Sequence, residues 1–232
     1  MSKSLIASIV AIVTIAILIG IFFLVRGDSG GKVSECEGDI PTFTHMPTNL
    51  ERITQITPPL MRVMGDVKTH SYIDVLKQAP IYAPVDAQLT NGAKYKAVER
   101  GLSEQYSLNF EVGCGISFYI DHLVDPILPI ADKFPGPVQE DTRGQFLSPI
   151  EVKAGQLIGY SAGTGRHNWD FGVLDARQET VLADNPDYNW SNKYRHAVCP
   201  YVFYETEVQD KVKALYSYDN HSDLEVIDNL CD

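Results

Sequence analysis

The stretch from Val152 to Val173, VKAGQLIGYSAGTGRHNWDFGV, decides how the rest of the chain is read. It opens on an apolar run around Leu157 and Ile158 and crosses a turn carrying Gly159, Gly163 and Gly165. It closes on a second run in which polar residues alternate with aromatic ones. Side chains alternate across a strand with a period of two, so Asn168 and Asp170 are expected on one face and Trp169 and Phe171 on the other. Two adjacent aromatics on one side predict a core-facing strand. Polar side chains at i and i+2 on the other side can converge on one metal ion or one substrate, and His167 stands immediately before them.

Working outward, the 232 residues suffice for one domain of ordinary size with a small appendage. Leu5 to Val25 is an uncharged apolar run long enough to cross a hydrocarbon layer as a helix. A cleaved signal peptide is the competing reading. The run exceeds the usual length of such a segment, however, and no small-x-small site precedes Arg26, so 1–26 reads as a transmembrane signal anchor. The 27–49 segment, rich in Gly, Ser, Pro and acidic residues, reads as a linker, 50–204 as the folded β domain, and 205–232 as a C-terminal helix and tail.

Formal net charge is −11, and setting aside Lys3 and Arg26 leaves 17 basic against 30 acidic residues, or −13, beyond the anchor. With no Lys/Arg cluster in the chain, this balance argues against a nucleic-acid partner. The expected location is the cell membrane, single-pass, with the C-terminal domain outside. Four cysteines, Cys36, Cys114, Cys199 and Cys231, suit such an oxidising exterior and allow three pairings. The pairing expected here is Cys114 with Cys199 and Cys36 with Cys231. No C-x-x-C pair is present.

Between linker and decisive stretch the chain reads as short strands. Leu50 to Met64, broken by Pro58-Pro59, is expected to enter the fold extended. Thr69–Val75 and Ala79–Leu89 are short β-branched runs, and Asn91-Gly92 is a turn signal. From Leu108 to Ile120 every second residue is apolar or Cys, which predicts one long strand or a hairpin bent at Gly113 and Gly115. Val124 to Pro149 holds five prolines and reads as a surface loop. Asp184 to Arg195 reads as another loop. Glu205 to Tyr216 places Val208, Val212, Leu215 and Tyr216 at helical spacing. The sequons at Asn189 and Asn220 permit glycosylation without indicating it.

Four features occur in a fixed order: His70-x-x-x-Asp74, Ile81-Tyr-Ala-Pro-Val-Asp-Ala87, Tyr119-Ile-Asp-His-Leu123, and Ala154-Gly-Gln-Leu-Ile-Gly159 followed by Asn168-x-Asp170-Phe. The arrangement resembles the lysostaphin or LytM-type zinc metallopeptidases over about 110 residues, His70 to Val173. The resemblance implies an all-β barrel-sandwich hybrid, a LytM-like β-sheet core, with one N-terminal transmembrane helix and a short C-terminal helix added here. It also implies His70 and Asp74 as metal ligands and His122 as the catalytic assistant to an attacking water. The family's H-x-H motif is altered: Asn168 stands where its first histidine belongs and Asp170 where its zinc-binding histidine belongs.

That departure changes the chemistry. A His-Asp-Asp set is harder and more anionic than His-Asp-His, so zinc is less distinctly preferred over other divalent metals. Asn168 cannot exchange a proton near neutrality as imidazole does. A one-residue bulge near Gly165 would bring His167 into the vacated position as an alternative ligand. The expected function is therefore a membrane-anchored extracytoplasmic LytM-like domain, catalytically degenerate, that binds or scaffolds an envelope polymer, a peptide or a protein. The alternative is a metal-dependent peptidase whose altered ligand set is His70, Asp74 and Asp170.

Overall fold

In the computed structural model the described residues are 40–96, 104–162, 169–218 and 223–231. The expected anchor 1–26, Cys36, His167, Asn168 and the sequon at Asn220 lie outside them. Among the described residues no helix is long and apolar enough to cross a membrane.

The architecture is mostly β-sheet. The strands are β1 (Ile53–Thr57), β2 (Met61–Val63), β3 (Asp66–Lys68), β4 (Ser71–Val75), β5 (Pro80–Tyr82), β6 (Ala87–Tyr95), β7 (Gln105–Gly113), β8 (Ile116–Val124), β9 (Gln145–Val152), β10 (Leu157–Ser161), β11 (Trp169–Asp175), β12 (Ala197–Val198) and β13 (Glu225–Val226). One large sheet runs in the order β1-β4-β11-β8-β7-β6-β9, with β10 joining β5 to β8 and β12 joining β11, while β13-β2-β3 form a small second sheet. Strand β11 thus lies between β4 and β8, antiparallel to both.

Its aromatic face behaves as the period of two predicts. Trp169, Phe171 and Val173 are fully buried. Phe171 meets Phe118 edge-on at 6.2 Å, and Phe118 stacks on Phe110 at 4.6 Å. These rings join Leu89, Leu108, Ile73 and Ile120 in one core. The alternating run after Tyr106 forms a hairpin of β7 and β8. Its turn is made by Gly113, Cys114 and Gly115, all at positive φ (111°, 53° and 75°), a conformation glycine adopts at little steric cost.

Several expectations are corrected. Asn91-Gly92 is no turn but lies inside β6, at an irregularity in its register between Leu89 and Asn91. Glycine is needed there because a Cβ on Gly92 would come within 2.7 Å of the Ser107 carbonyl oxygen and 2.9 Å of the Phe134 ring. The proline-rich loop is interrupted by a one-turn helix, Leu128–Ala131, and its last residues already belong to β9. The expected linker overlaps the fold. Phe43 is buried, stacks on Phe203 at 5.0 Å and donates its backbone N–H to the Phe203 carbonyl. The predicted C-terminal helix forms over Thr206–Lys213.

The cysteine pairing is also corrected. Cys199 is bonded to Cys231, with Cα atoms 5.0 Å apart. Strand β12 docks on β11 and leaves Cys199 in the core. Strand β13 and the bond from the Ile227 N–H to the Leu60 carbonyl bring the chain end back to it. Cys114, at the hairpin tip, is disulfide-bonded as well, but not to Cys199. Peptide mapping of the non-reduced protein is expected to recover the Cys199 and Cys231 peptides as one linked species. Replacing Phe171 with Ala is expected to cost about 3–5 kcal/mol in denaturant unfolding, the range for emptying an aromatic core position.

Candidate metal centre

Asp170 sits between Trp169 and Phe171, so the strand that fills the core with its aromatic face directs a carboxylate to the other. Its neighbours across the sheet are Tyr72 on β4 and Asp121 on β8. Asp170 is 3 % exposed, and its Oδ2 lies 3.2 Å from His70 Nε2 and 3.5 Å from His122 Nε2. Two imidazoles thus flank one buried carboxylate.

His122 reaches this point through a bulge. Tyr106 pairs with Leu123, yet Leu108 pairs with Ile120, so β8 spends one residue more than β7 over that interval. The backbone of His122 takes φ 61°, in the left-handed region. Such a conformation costs a non-glycine residue about 1–2 kcal/mol. A bulge of this kind re-aims a side chain that strict alternation would send to the opposite face. As a result consecutive residues Asp121 and His122 point to one place, and a ligand atom from each lies within 4.8 Å of the other and of Asp170.

Local hydrogen bonds hold the bulge. The His122 backbone N–H donates to Asp121 Oδ1 at 2.7 Å, and the Tyr95 hydroxyl donates to the same oxygen. Burial and the nearby Asp121 charge raise the Tyr95 pKa, keeping it a donor. His122 Nδ1 lies 2.8 Å from Gln105 Oε1 and 3.0 Å from the Tyr95 hydroxyl, which fixes the ring with Nε2 facing Asp170. This is the arrangement of a metal-binding histidine oriented by an outer hydrogen bond.

His70 enters from the start of β4. Its Nδ1 is 3.4 Å from the Tyr119 hydroxyl, which in turn contacts Thr69 Oγ1 at 3.0 Å. Tyr119 lies across Gly172, its register partner, where a Cβ would come within 2.2 Å of the ring. Glycine at 172 therefore makes room for the side chain that positions His70. Burial lowers the His70 pKa from the usual histidine value, with Asp170 opposing that effect and Lys193 adding to it.

Of the sequence-predicted site residues, His70, His122 and Asp170 come together. Asp74 is buried on β4, its carbonyl accepting from Thr54 Oγ1, and is not a member of the tight group of Asp121, His122 and Asp170. His167 and Asn168 lie outside the described residues. Asp121 was missed by sequence reasoning, although a signal for it exists. Apolar residues fall at Ile116, Phe118 and Ile120, and the next apolar residue is Leu123, a slip of phase that marks a bulge.

The donor set fits a divalent cation. Asp170 Oδ1 and His70 Nε2 are both buried without a hydrogen-bond partner, and buried polar atoms in that condition call for an ion or water. Imidazole nitrogen with carboxylate oxygen suits zinc and also manganese. A cleft of about 530 Å³ opens beside Tyr119, the ring that contacts His70, and is lined by Tyr119, Lys193, Asn91, Asn109, Glu111, Phe146 and Trp190.

No protein-family model matches the sequence, and no curated protein does. Solved structures to which this chain is similar include a zinc-containing peptidase from Vibrio cholerae (16 % identity, TM-score 0.38, covering 67 % of this chain and 39 % of that one). They also include the SpoIIQ–SpoIIIAH pore-forming complex (14 %, 0.39, 74 % and 98 %) and lysostaphin (12 %, 0.37, 80 % and 60 %). The chain thus spans well under half the length of the Vibrio peptidase it matches.

The lowered pKa of His70 gives a pH dependence with a definite sign. The folded protein binds this proton less readily than the unfolded chain, whose histidine titrates near 6.5. Stability is therefore complete above that value and falls as the pH drops below it. In chelator-treated protein the midpoint of urea unfolding is expected to fall between pH 7 and pH 5, with a shallower decline in His70→Gln.

Proposed function

We propose that this chain is a membrane-tethered, extracytoplasmic LytM-like module that holds a divalent cation at Asp170 and acts by binding a partner rather than by hydrolysing one. The observation that carries this reading is the buried Asp170 carboxylate with the Nε2 atoms of His70 and His122 at 3.2 and 3.5 Å. The tether is supported by the uncharged run Leu5 to Val25, and the exported setting by that run together with the disulfide-bonded cysteines.

The residues that would hold the cation are His122, Asp170 and Asp121, with His70 against Asp170. A cation held there supplies Lewis acidity toward an oxygen ligand. The chain's own residues limit how far that serves catalysis. Two carboxylates donate more negative charge than two imidazoles would, and weaken that acidity. Asn168 occupies the sequence position of a proton-exchanging histidine and carries no titratable group. What remains is a cleft with amide, carboxylate and exposed aromatic side chains beside Tyr119: Asn91, Asn109 and Glu111, with Phe146 and Trp190. The partner is an envelope polymer, a peptide or a protein segment laid along it.

A metal-dependent hydrolase is the second reading, and one observation favours it. His122 keeps Nδ1 bonded to Gln105 and leaves Nε2 facing the cluster, the orientation a general base requires.

The test is metal content and activity of the full chain purified in detergent micelles. About one equivalent of zinc or manganese per chain is expected, with affinity falling at least tenfold in Asp170→Asn. Glycine-rich and cell-wall peptides are expected to remain uncleaved. A chain that takes up no divalent metal contradicts the cation site; cleavage that disappears in His122→Ala makes the hydrolase reading the correct one.

A further inference from the structure

The loop predicted over Asp184 to Arg195 brings one side chain to the cluster that none of the sequence motifs contains. Its last residues form a single helical turn, Asn192–Arg195. The Thr180 hydroxyl donates to the Tyr194 carbonyl at 2.5 Å, the Thr180 N–H donates to the Arg195 carbonyl, and Arg195 pairs with Glu179 at 2.6 Å. This turn holds Lys193 with its Nζ 4.1 Å from the centre of the Tyr119 ring. The ring is the one fixed across Gly172, with its hydroxyl against Thr69 and His70. The ammonium thus rests on the ring whose hydroxyl lies 3.4 Å from His70 Nδ1, and His70 Nε2 in turn lies 3.2 Å from Asp170.

We propose that Lys193 is a resident counter-cation of the Asp121–Asp170 pair, a specificity residue that weakens binding of a divalent ion and reserves full affinity for conditions in which its charge is drawn away. This rests on the cation reading above. Two carboxylates close together in a largely buried site are stabilised by positive charge from a metal ion or a nearby side chain. Lys193 supplies one unit through the ring face, by cation–π attraction, and through its field at Asp121 and Asp170. Its own titration is consistent with that position: burial lowers its pKa, while Asp121 and Asp170 oppose the lowering. A fixed positive charge held there repels an incoming dication. Lys193 also lines the cleft. An anionic group entering the cleft and pairing with the ammonium would therefore strengthen cation binding.

The test uses the full chain in detergent micelles, titrated with zinc in competition with a chromophoric chelator. Lys193→Met keeps the aliphatic stem and removes the charge; Lys193→Gln is the second neutral variant, should the first fold poorly. Both are expected to bind zinc at least tenfold more tightly than the parent, while Lys193→Arg is expected to bind as the parent does. Equal or weaker binding by both folded neutral variants, with the parent binding zinc measurably, overturns the inference and leaves the cation site standing. Zinc binding absent from the parent and from both neutral variants overturns the two together.

Discussion

A carboxylate held at 3 % exposure on a strand whose other face is the hydrophobic core is the constraint on which this structure turns. Burying an ionised group without compensation is costly, and the compensation must come from fixed neighbours. Around Asp170 those neighbours are His70, His122 and, at longer range, Lys193. Trp169 and Phe171 fix the strand's depth and register, so Asp170 cannot retreat to solvent without emptying the core. The same packing that stabilises the domain therefore enforces the chemistry of the cleft.

Two departures from regular sheet geometry make the cluster. The bulge at Asp121–His122 places consecutive side chains on one face, at the cost of a left-handed residue. Gly172 opens the sheet surface so that Tyr119 can lie flat and reach both Thr69 and His70. Backbone strain and a missing Cβ in adjacent strands are local conflicts of the kind that concentrate at functional sites. Here both serve to converge nitrogen and oxygen donors on Asp170.

Much of this was legible in the sequence. Alternation in Trp169-Asp-Phe171 gave the core face and the polar face of β11, and the order of short motifs linked His70, His122 and Asp170 across strands far apart in the chain. The expected membrane anchor falls outside the described residues. Other features depended on tertiary context. Asn91-Gly92 carries a strong local turn preference, but β6 runs through it because the close approach of Ser107 and Phe134 needs a residue without a side chain. Cys199 pairs with Cys231 because strand β13 carries the chain end back, and two-residue strands leave little periodic signal. Lys193 belongs to no motif at all; its place is set by a turn pinned through Thr180 and Glu179.

The account stands or falls on what balances the Asp170 charge. Crystals of the protein soaked in zinc and measured across the zinc absorption edge address this directly. An anomalous peak at about 2.0–2.2 Å from a carboxylate oxygen of Asp170 and from His122 Nε2 is the predicted result. An ordered cleft without such a peak, in which a protonated imidazole of His70 or His122 is hydrogen-bonded directly to Asp170, would contradict it.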